Sequence, residues 1–309
     1  MIVTIQATVE FYFSASIAVN CCLILLTIGN THKVSGLCRP LLFALLFNNI
    51  CMSLLHIVTM PRLIEYQNAI ILLWSGSLGW YKPLPLWYSL CVGHCFILLT
   101  AQFTYRWFIL NGVKFSDKLW KNYRMFGLLT FFAVFNALWI ACMRIAFEPQ
   151  DDTLRLVAAF FHENYNIATV IDCVWATNIS TMSGLSIFCL CTLLAMSFTC
   201  IVTILHFGIR MYIVLRKGRI MRKNVRAVHI RLFFLLCIKT AIPNLIVFVP
   251  LSLWSIFHYF GLVFWMESLA STLFSVYPLI DGILVLAFYP EYYRRFKESF
   301  TRFTRKLVV

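Results

Sequence analysis

Lysine and arginine are concentrated in four short segments of this chain, which alternate with the other polar gaps between long apolar runs. The four segments hold 21 of the 26 Lys and Arg residues, and they are Thr31–Pro40, Arg106–Arg124, Arg210–Arg231 and Pro290–Val309. Short loops rich in these residues stay on the cytoplasmic side of a membrane. Eight of the twelve acidic residues fall on the other side. The pattern predicts seven crossings, with the N-terminus outside and the C-terminus in the cytoplasm.

The apolar runs are long enough for helices, since a helix needs about 20 residues to cross a bilayer. The predicted spans are residues 9–29, 41–60, 84–106, 125–146, 184–208, 232–257 and 262–289. Only 12% of the residues are charged, whereas soluble domains carry about 25%. We therefore predict an all-α membrane protein, a seven-transmembrane helix bundle that forms one domain over residues 1–309.

The net charge of +14 does not indicate nucleic-acid binding here. The cations are confined to one predicted membrane face, where anionic lipid and the insertion bias account for them. The lipid bilayer is the partner that the charge pattern predicts.

The longest predicted outer segment covers residues 147–183 and suits two modifications. It contains the sequon Asn178–Ile179–Ser180, an acceptor for N-glycosylation on an outer loop. It also contains Cys173, whose candidate disulfide partner is Cys91. Cys91 lies about 22 Å up the helix from Arg106, several ångströms inside the hydrocarbon core, so this bridge requires the outer loop to dip inward.

Motifs for enzymes, metals and cofactors are missing from the sequence. The seven histidines include no pair three to five residues apart, the spacing on which helical metal sites commonly rest. We therefore predict no catalytic residue, no metal site and no cofactor. Secondary transporters usually show internal repeats, which this chain lacks, so a transporter or a ligand-gated channel is the alternative rather than the first interpretation.

Two ionisable residues lie at membrane depth, where charge is costly and usually functional. Lys239 and Asp281 each lie about 12 Å above the cytoplasmic ends of the sixth and seventh spans. Equal depth fits an ion pair between these spans. It also fits a Lys239 that extends to the headgroups and a protonated Asp281. Pro243 and Pro278 lie inside the same two spans, where proline either only kinks a helix or forms a hinge.

Two helix faces could line a ligand pocket near the outer end of the bundle. The third span contributes Trp87, Tyr88 and His94, and the seventh contributes Glu267 and Ser271. Such a pocket would be largely apolar and aromatic, and would suit a small, fairly hydrophobic molecule. Ordinary interhelical packing is the competing interpretation, and for His94 it is a hydrogen-bonded interior histidine.

The cytoplasmic end offers a surface for a soluble partner. The third span ends in Tyr105–Arg106–Trp107, and the segment leading into the sixth span carries Arg222, Lys223 and Arg226. These cations either bind a cytosolic protein or only satisfy the insertion rule, and the charge count does not separate the two.

At these residues the sequence resembles the nematode seven-transmembrane chemoreceptors of the serpentine receptor class r (Str) superfamily. Phe103–Trp107 resembles the family's F-x-Y-R-Y ending of the third helix. The run from Leu232 through Pro243 resembles its L-F-x-x-L-x-x-Q-T-x-x-P, with Pro250 as the second proline. Tyr277–Asp281 resembles the P-x-x-D-P of the seventh helix. The chain departs from the family pattern at Lys239, at Gly282 and in the approach to the sixth helix.

The resemblance implies a G-protein-coupled chemosensory receptor, of the olfactory type, in the ciliary plasma membrane of sensory neurons. Its partners would be an odorant or other chemical cue and a heterotrimeric G protein. Tyr105, Arg106 and Trp107 carry over as the coupling motif, and Pro243, Pro278 and Asp281 as the switch motifs. The resemblance assigns no ligand-binding residue.

Overall fold

The computed structural model describes residues 2–29, 38–66, 69–74, 81, 83–111, 123–165, 174–178, 181–217, 223–245, 267–288, 293–294 and 297–298. The helices are α1 (Ile2–Gly29), α2 (Cys38–Thr59), α3 (Pro83–Leu110), α4 (Tyr123–Phe147), α5 (Asp151–Tyr165), α6 (Gly184–Lys217), α7 (Lys223–Pro243) and α8 (Glu267–Phe288). The strands are β1 (Pro61–Tyr66), β2 (Ala69–Trp74) and β3 (Val174–Asn178).

Seven of the helices carry the predicted spans in the predicted order. Within the described residues, five stretches are long and apolar enough to cross a membrane, namely Glu10–Gly29, Arg39–Thr59, Pro83–Leu110, Thr130–Phe147 and Gly184–Lys217. α8 adds a shorter apolar helix, Val276–Phe288. The predicted sixth and seventh spans are described only from Lys223 to Leu245 and from Glu267 to Phe288.

The long helices pack side by side as a bundle with α3 near its centre. α3 contacts α2, α4, α6 and α7, while α1 packs between α2 and α8. α7 contacts α8, α6 and α3. Lys239 of α7 and Asp281 of α8 therefore belong to neighbouring helices, as the sequence predicts.

A three-stranded antiparallel sheet covers one end of the bundle. The strand order is β1-β2-β3, with Pro61 opposite Trp74 in one pair and Ala69 opposite Asn178 in the other. β1 packs against α8 and β3 against α4. We call the sheet together with α5 the cap, and the opposite end of the bundle, where Arg106 lies, the basic end.

The helix α5 binds the sheet through an apolar face. Asp151 and Asp152 occupy its first turn, where negative charge interacts favourably with the helix dipole. Val157, Phe160 and Phe161 are buried in one cluster with Ile71 and other apolar residues of the strands. Burial of this shared apolar surface holds the cap together.

The structure corrects three predictions about the polar segments. The fold is not purely helical, because the described residues include a three-stranded sheet. The outer segment of residues 147–183 is not simply a loop, since it contains α5 and β3. The basic segment Arg210–Arg231 is largely helical, because α6 continues to Lys217 and α7 begins at Lys223; lysine and arginine favour helices and need not end them.

Candidate functional site

A buried ion pair lies between α7 and α8 in the interior of the bundle. Lys239 Nζ is 3.0 Å from Asp281 Oδ1, and the two side chains are 2% and 1% exposed. Asn49 of α2 donates a hydrogen bond from Nδ2 to Asp281 Oδ2 at 2.8 Å. A buried charge is costly unless it is paired and hydrogen-bonded. Of the two arrangements that the sequence left open, the structure contains the ion pair.

The ion pair is part of a larger buried network that reaches α1. Asn49 also donates to Asn20 Oδ1 at 3.4 Å, and Asn20 Nδ2 donates to the carbonyl oxygen of Pro278 at 3.2 Å. The hydroxyl oxygens of Ser16 and Ser53 lie 3.0 Å apart. Residues four apart share a helix face, which explains how α1 and α2 each supply two members. We call the set the polar core: Ser16, Asn20, Asn49, Ser53, Lys239 and Asp281.

Backbone features of α7 and α8 surround the polar core. Pro243 has no N–H to donate to the carbonyl of Lys239, and proline weakens a helix at such a point. At Gly282 a Cβ atom would lie 2.9 Å from Cγ1 of Val19 and 3.4 Å from the Asn20 amide. Gly282 therefore allows α1 to approach α8 closely enough for Asn20 to bind the carbonyl of Pro278.

A small cavity separates the polar core from the basic end. Its volume is about 20 Å³, and its polar lining is Gln102, Tyr105, Arg106 and Lys239. A water molecule needs roughly 10–15 Å³ of such space, whereas small-molecule sites usually measure about 300–1,000 Å³. The cavity is large enough for a water molecule. Two of the predicted coupling residues, Tyr105 and Arg106, line it together with Lys239 of the ion pair. Trp107 faces elsewhere and packs on Phe207 of α6, with ring centroids 5.2 Å apart.

Arg226 is engaged inside the protein at the basic end. Its Nε donates to the carbonyl of Leu215 at 3.0 Å, and its Nη2 donates to the carbonyl of Arg216 at 3.4 Å. The last carbonyls of a helix lack intrahelical partners, so the Arg226 guanidinium caps the end of α6. Arg222 and the side chain of Lys223 lie outside the described residues.

A chain of aromatic contacts joins the bundle to the cap. His56 stacks on Phe13 with ring centroids 4.1 Å apart, and its Nδ1 lies 3.0 Å from the Tyr88 hydroxyl. Trp74 packs edge-on against Tyr88 at 5.8 Å and against Trp175 at 6.0 Å. Trp175 stacks on Phe147 of α4 at 6.2 Å. We call this the aromatic ladder: Phe13, His56, Tyr88, Trp74, Trp175 and Phe147.

The predicted ligand residues of α3 do not form one group. Tyr88 is buried in the aromatic ladder, but Trp87 is 61% exposed, so the prediction that it faces the bundle interior is wrong. Consecutive helix residues point about 100° apart, and the packing of Tyr88 turns Trp87 outward. His94 binds Asn136 Oδ1 of α4 at 3.0 Å, as expected of a hydrogen-bonded interior histidine. The side chains of Glu267 and Ser271 lie outside the described residues.

Neither predicted covalent modification is supported. Asn178 is only 8% exposed and its side chain lines a cavity of about 10 Å³, which has no room for a glycan. Asn178 is buried because β3 pairs with β2 at this position. Cys91 is a free, buried thiol, so the bridge to Cys173 is not formed, and Cys173 itself lies outside the described residues.

The sequence interpretation missed several buried polar residues of α1 and α2. Asn20, Asn49 and His56 are 0%, 0% and 2% exposed, and none of them was singled out. The signal was present in the second span, where Asn49, Ser53 and His56 recur at helical spacing within an apolar run. Polar residues within a membrane helix tend to face the interior of a bundle.

A family model for the serpentine type 7TM GPCR chemoreceptor Str matches residues 5–297. The chain belongs to this family. No curated protein matches the chain. As a member of the Str family, the chain is a multi-pass membrane protein of the G-protein-coupled chemoreceptor type, and its family is one of receptors rather than enzymes.

Proposed function

We propose that this Str-family protein is a chemosensory, olfactory-type receptor that binds a small, fairly hydrophobic molecule and activates a heterotrimeric G protein. Residues 1–309 form a single receptor domain, with the N-terminus outside and the C-terminus in the cytoplasm. It acts in the plasma membrane, in the cilia of sensory neurons. The family match and the charge pattern of the loops support this proposal.

The observation that carries the proposal is the buried ion pair of the polar core. Receptor activation is a shift between populations of two conformations. Lys239 and Asp281 join α7 to α8 with the side chains 2% and 1% exposed, so separating them in an apolar interior costs free energy. A conformation that keeps the pair is thereby stabilised over one that breaks it, and we assign the pair to the resting state.

The moving part is α7, which carries proline at position 243. Its Lys239 lines the same small cavity as Tyr105 and Arg106 of α3. An outward movement of the basic end of α7 would break the pair with Asp281 and widen this cavity. Arg106 and Tyr105 would then become accessible to the Gα subunit.

The experiment measures basal second-messenger output for Lys239→Gln in cells that express Gα. We expect higher basal output at equal surface expression, because the amide no longer neutralises Asp281. Phe234→Leu is the matched control, since Phe234 lies on the same helix but is 55% exposed. The charge swap Lys239→Asp with Asp281→Lys should lower the output again. Equal baselines in all of these variants would contradict the proposal.

The same cells distinguish a receptor from a channel or transporter. Output that depends on Gα and disappears in Arg106→Ala supports a receptor. Ligand-dependent current or solute flux in cells that lack Gα would support the alternative.

A further inference from the structure

The indole of Trp74 is buried with an unused hydrogen-bond donor. Trp74 is 3% exposed, and no described residue accepts a hydrogen bond from its Nε1. Tryptophan has a donor and no acceptor, so the missing partner must be an acceptor. Buried polar groups are nearly always paired, and an unpaired one costs stability that a phenylalanine at this position would avoid. The Trp74 donor is therefore available to an acceptor from outside the described residues.

The surroundings of Trp74 are apolar and reach the helices that carry the switch. Trp74 belongs to one buried cluster with Met52, Tyr88, Cys95 and Tyr277, among others. The Tyr277 hydroxyl makes no hydrogen bond to oxygen or nitrogen among the described residues, and its polar neighbour is the Cys95 thiol, a weak partner. The Trp74 indole of the cap and the Tyr277 hydroxyl of α8 thus lie in one apolar cluster. Neither group hydrogen-bonds to an oxygen or nitrogen atom of the described residues.

We propose that this cluster is the ligand site, and that it takes a small neutral molecule with an acceptor-only oxygen, such as an ether or an ester. The oxygen accepts a hydrogen bond from Trp74 Nε1, and the alkyl groups lie among Met52, Tyr88 and Tyr277. The members of the cluster among the described residues are uncharged, and the nearby Lys239 and Asp281 are already paired with each other, so the site favours a neutral ligand over an ionic one. This inference rests on the proposed function as a chemoreceptor.

The site is connected to the polar core through α7 and α8. Ile242 packs on the cluster and precedes Pro243. Tyr277 precedes Pro278, whose carbonyl accepts the hydrogen bond from Asn20. A molecule bound in this cluster would contact Tyr277 and Ile242, so it would act on the helices that hold the Lys239–Asp281 pair.

The test uses the full chain in lipid nanodiscs with 5-fluorotryptophan, so that each indole gives a ¹⁹F resonance. The Trp74 resonance is assigned with Trp74→Phe, and the Trp175 resonance with Trp175→Phe. The probes are dipropyl ether, heptane and dipropylammonium, which differ only in their central group, together with diethyl and dibutyl ether and their matched alkanes. Trp87→Phe is the control variant, because it removes an indole that is 61% exposed and keeps the Trp74 donor.

We expect at least one ether to shift the Trp74 resonance with an apparent Kd at least tenfold lower than its matched alkane, and dipropylammonium to produce no shift. In Trp74→Phe, followed at Trp175, the ether should bind no better than the alkane, while the melting temperature stays the same or rises. In Trp87→Phe the preference for the ether should persist.

The proposal would be overturned if ether and alkane shifted the Trp74 resonance equally, or if no ether shifted it. Either result is expected if the indole normally donates its hydrogen bond to a water molecule. The comparison of ether with alkane uses the unmutated chain, and Trp74→Tyr assigns the Trp74 resonance if Trp74→Phe fails to fold. The basal output of Lys239→Gln is measured separately. A raised baseline in Lys239→Gln without ether binding would refute this site and leave the receptor function standing. Ether binding with an unchanged baseline would support the site and contradict the proposed function.

Discussion

The two sides of the bundle differ in what accompanies their apolar packing. On one side, α1, α2 and α8 share a buried apolar cluster of Leu23, Leu42, Leu46 and Val285, and the buried hydrogen bonds and ion pair of the polar core join them to one another and to α7. On the other side, α3, α4 and α6 meet through an apolar cluster that includes Phe96, Phe135, Trp139 and Leu193. There the ring of Trp139 lies directly over Gly93, where a Cβ would be 2.9 Å away.

This difference indicates which side moves. Close-packed apolar interiors transmit strain and resist small displacements, so we expect α3, α4 and α6 to act as a static frame. Hydrogen bonds and ion pairs are discrete, and a second set of partners can replace the first. We therefore expect the conformational change to occur where α7 and α8 meet α1 and α2, and the following variants test this contrast.

The largest effect is expected from Asp281→Ala, which leaves the charge of Lys239 buried without its partner. Removing one member of a buried ion pair typically costs about 3–5 kcal/mol. Thermal unfolding in nanodiscs should show a large fall in melting temperature. The double variant Lys239→Met with Asp281→Leu should recover most of it, because an apolar pair of similar volume is often as stable. If the double variant is no more stable than Asp281→Ala, the buried charge is not the cause.

Gly93→Ala tests the apolar side. The added methyl group would overlap the Trp139 ring, whose Nε1 is fixed by a hydrogen bond to the carbonyl of Ser89 at 3.0 Å, and overpacking of this kind costs about 1–3 kcal/mol. We expect lower thermal stability with unchanged basal signalling. Gly208→Ala is the control, because its Cβ would meet Phe103 at an ordinary 3.5 Å. A raised baseline in Gly93→Ala would show that the frame also switches.

Gly282→Ala makes the same change on the polar side and should act differently. Its methyl group would meet Cγ1 of Val19 at 2.9 Å, and a β-branched side chain in a helix has one strongly preferred χ1 rotamer, so the cost should again be about 1–3 kcal/mol. Because the methyl group also pushes α1 and Asn20 away from Pro278, basal signalling should change as well. The measurement is basal output beside melting temperature for both glycine variants. The contrast between the two sides is wrong if they give the same pattern.

The smallest effect is expected in the cap, from Tyr66→Phe. The Tyr66 hydroxyl donates to Glu163 Oε2 of α5 at 2.7 Å, and this hydrogen bond raises the pKa of Tyr66 above its ordinary 10.0. Because the pKa of Tyr66 is higher in the folded state, the hydrogen bond stabilises the fold fully at pH values below 10.0. This stabilisation is lost as the pH rises through the raised pKa. Hydrogen exchange of the α5 amides should be slightly faster in Tyr66→Phe at neutral pH, and the two proteins should converge in strong alkali. Slower exchange in the variant would contradict this role.

The sequence was most informative where a single physical constraint dominates. The thickness of the bilayer predicts the lengths of the spans. The cost of a buried charge makes Lys239 and Asp281, which lie at the same depth, the expected partners of each other. The sheet was not predicted, since Ala69–Trp74 is a short apolar run that suits a strand or a helix equally. Its partner strand Val174–Asn178 lies about a hundred residues further along the chain, a pairing that local patterns do not encode.

The directions in which individual side chains point could not be predicted from the sequence either. Trp87 and Tyr88 are adjacent and both aromatic, and only their packing shows that Tyr88 alone faces inward. Arg226 resembles any other cation of a basic segment, and its two hydrogen bonds to α6 depend on where that helix ends. The members of the polar core on α1 and α2 lay in spans treated only as apolar, although their helical spacing was readable.

The positive charge that balances Asp281 is a side chain of the protein, and it is only 2% exposed. Dissolved salt screens charges at a surface strongly and buried pairs much less. A cation from solution could be gained or lost as its concentration changed, whereas Lys239 is always present at the same stoichiometry. The ligand concentration needed to activate this receptor should therefore stay the same when the ionic strength of the surrounding fluid varies.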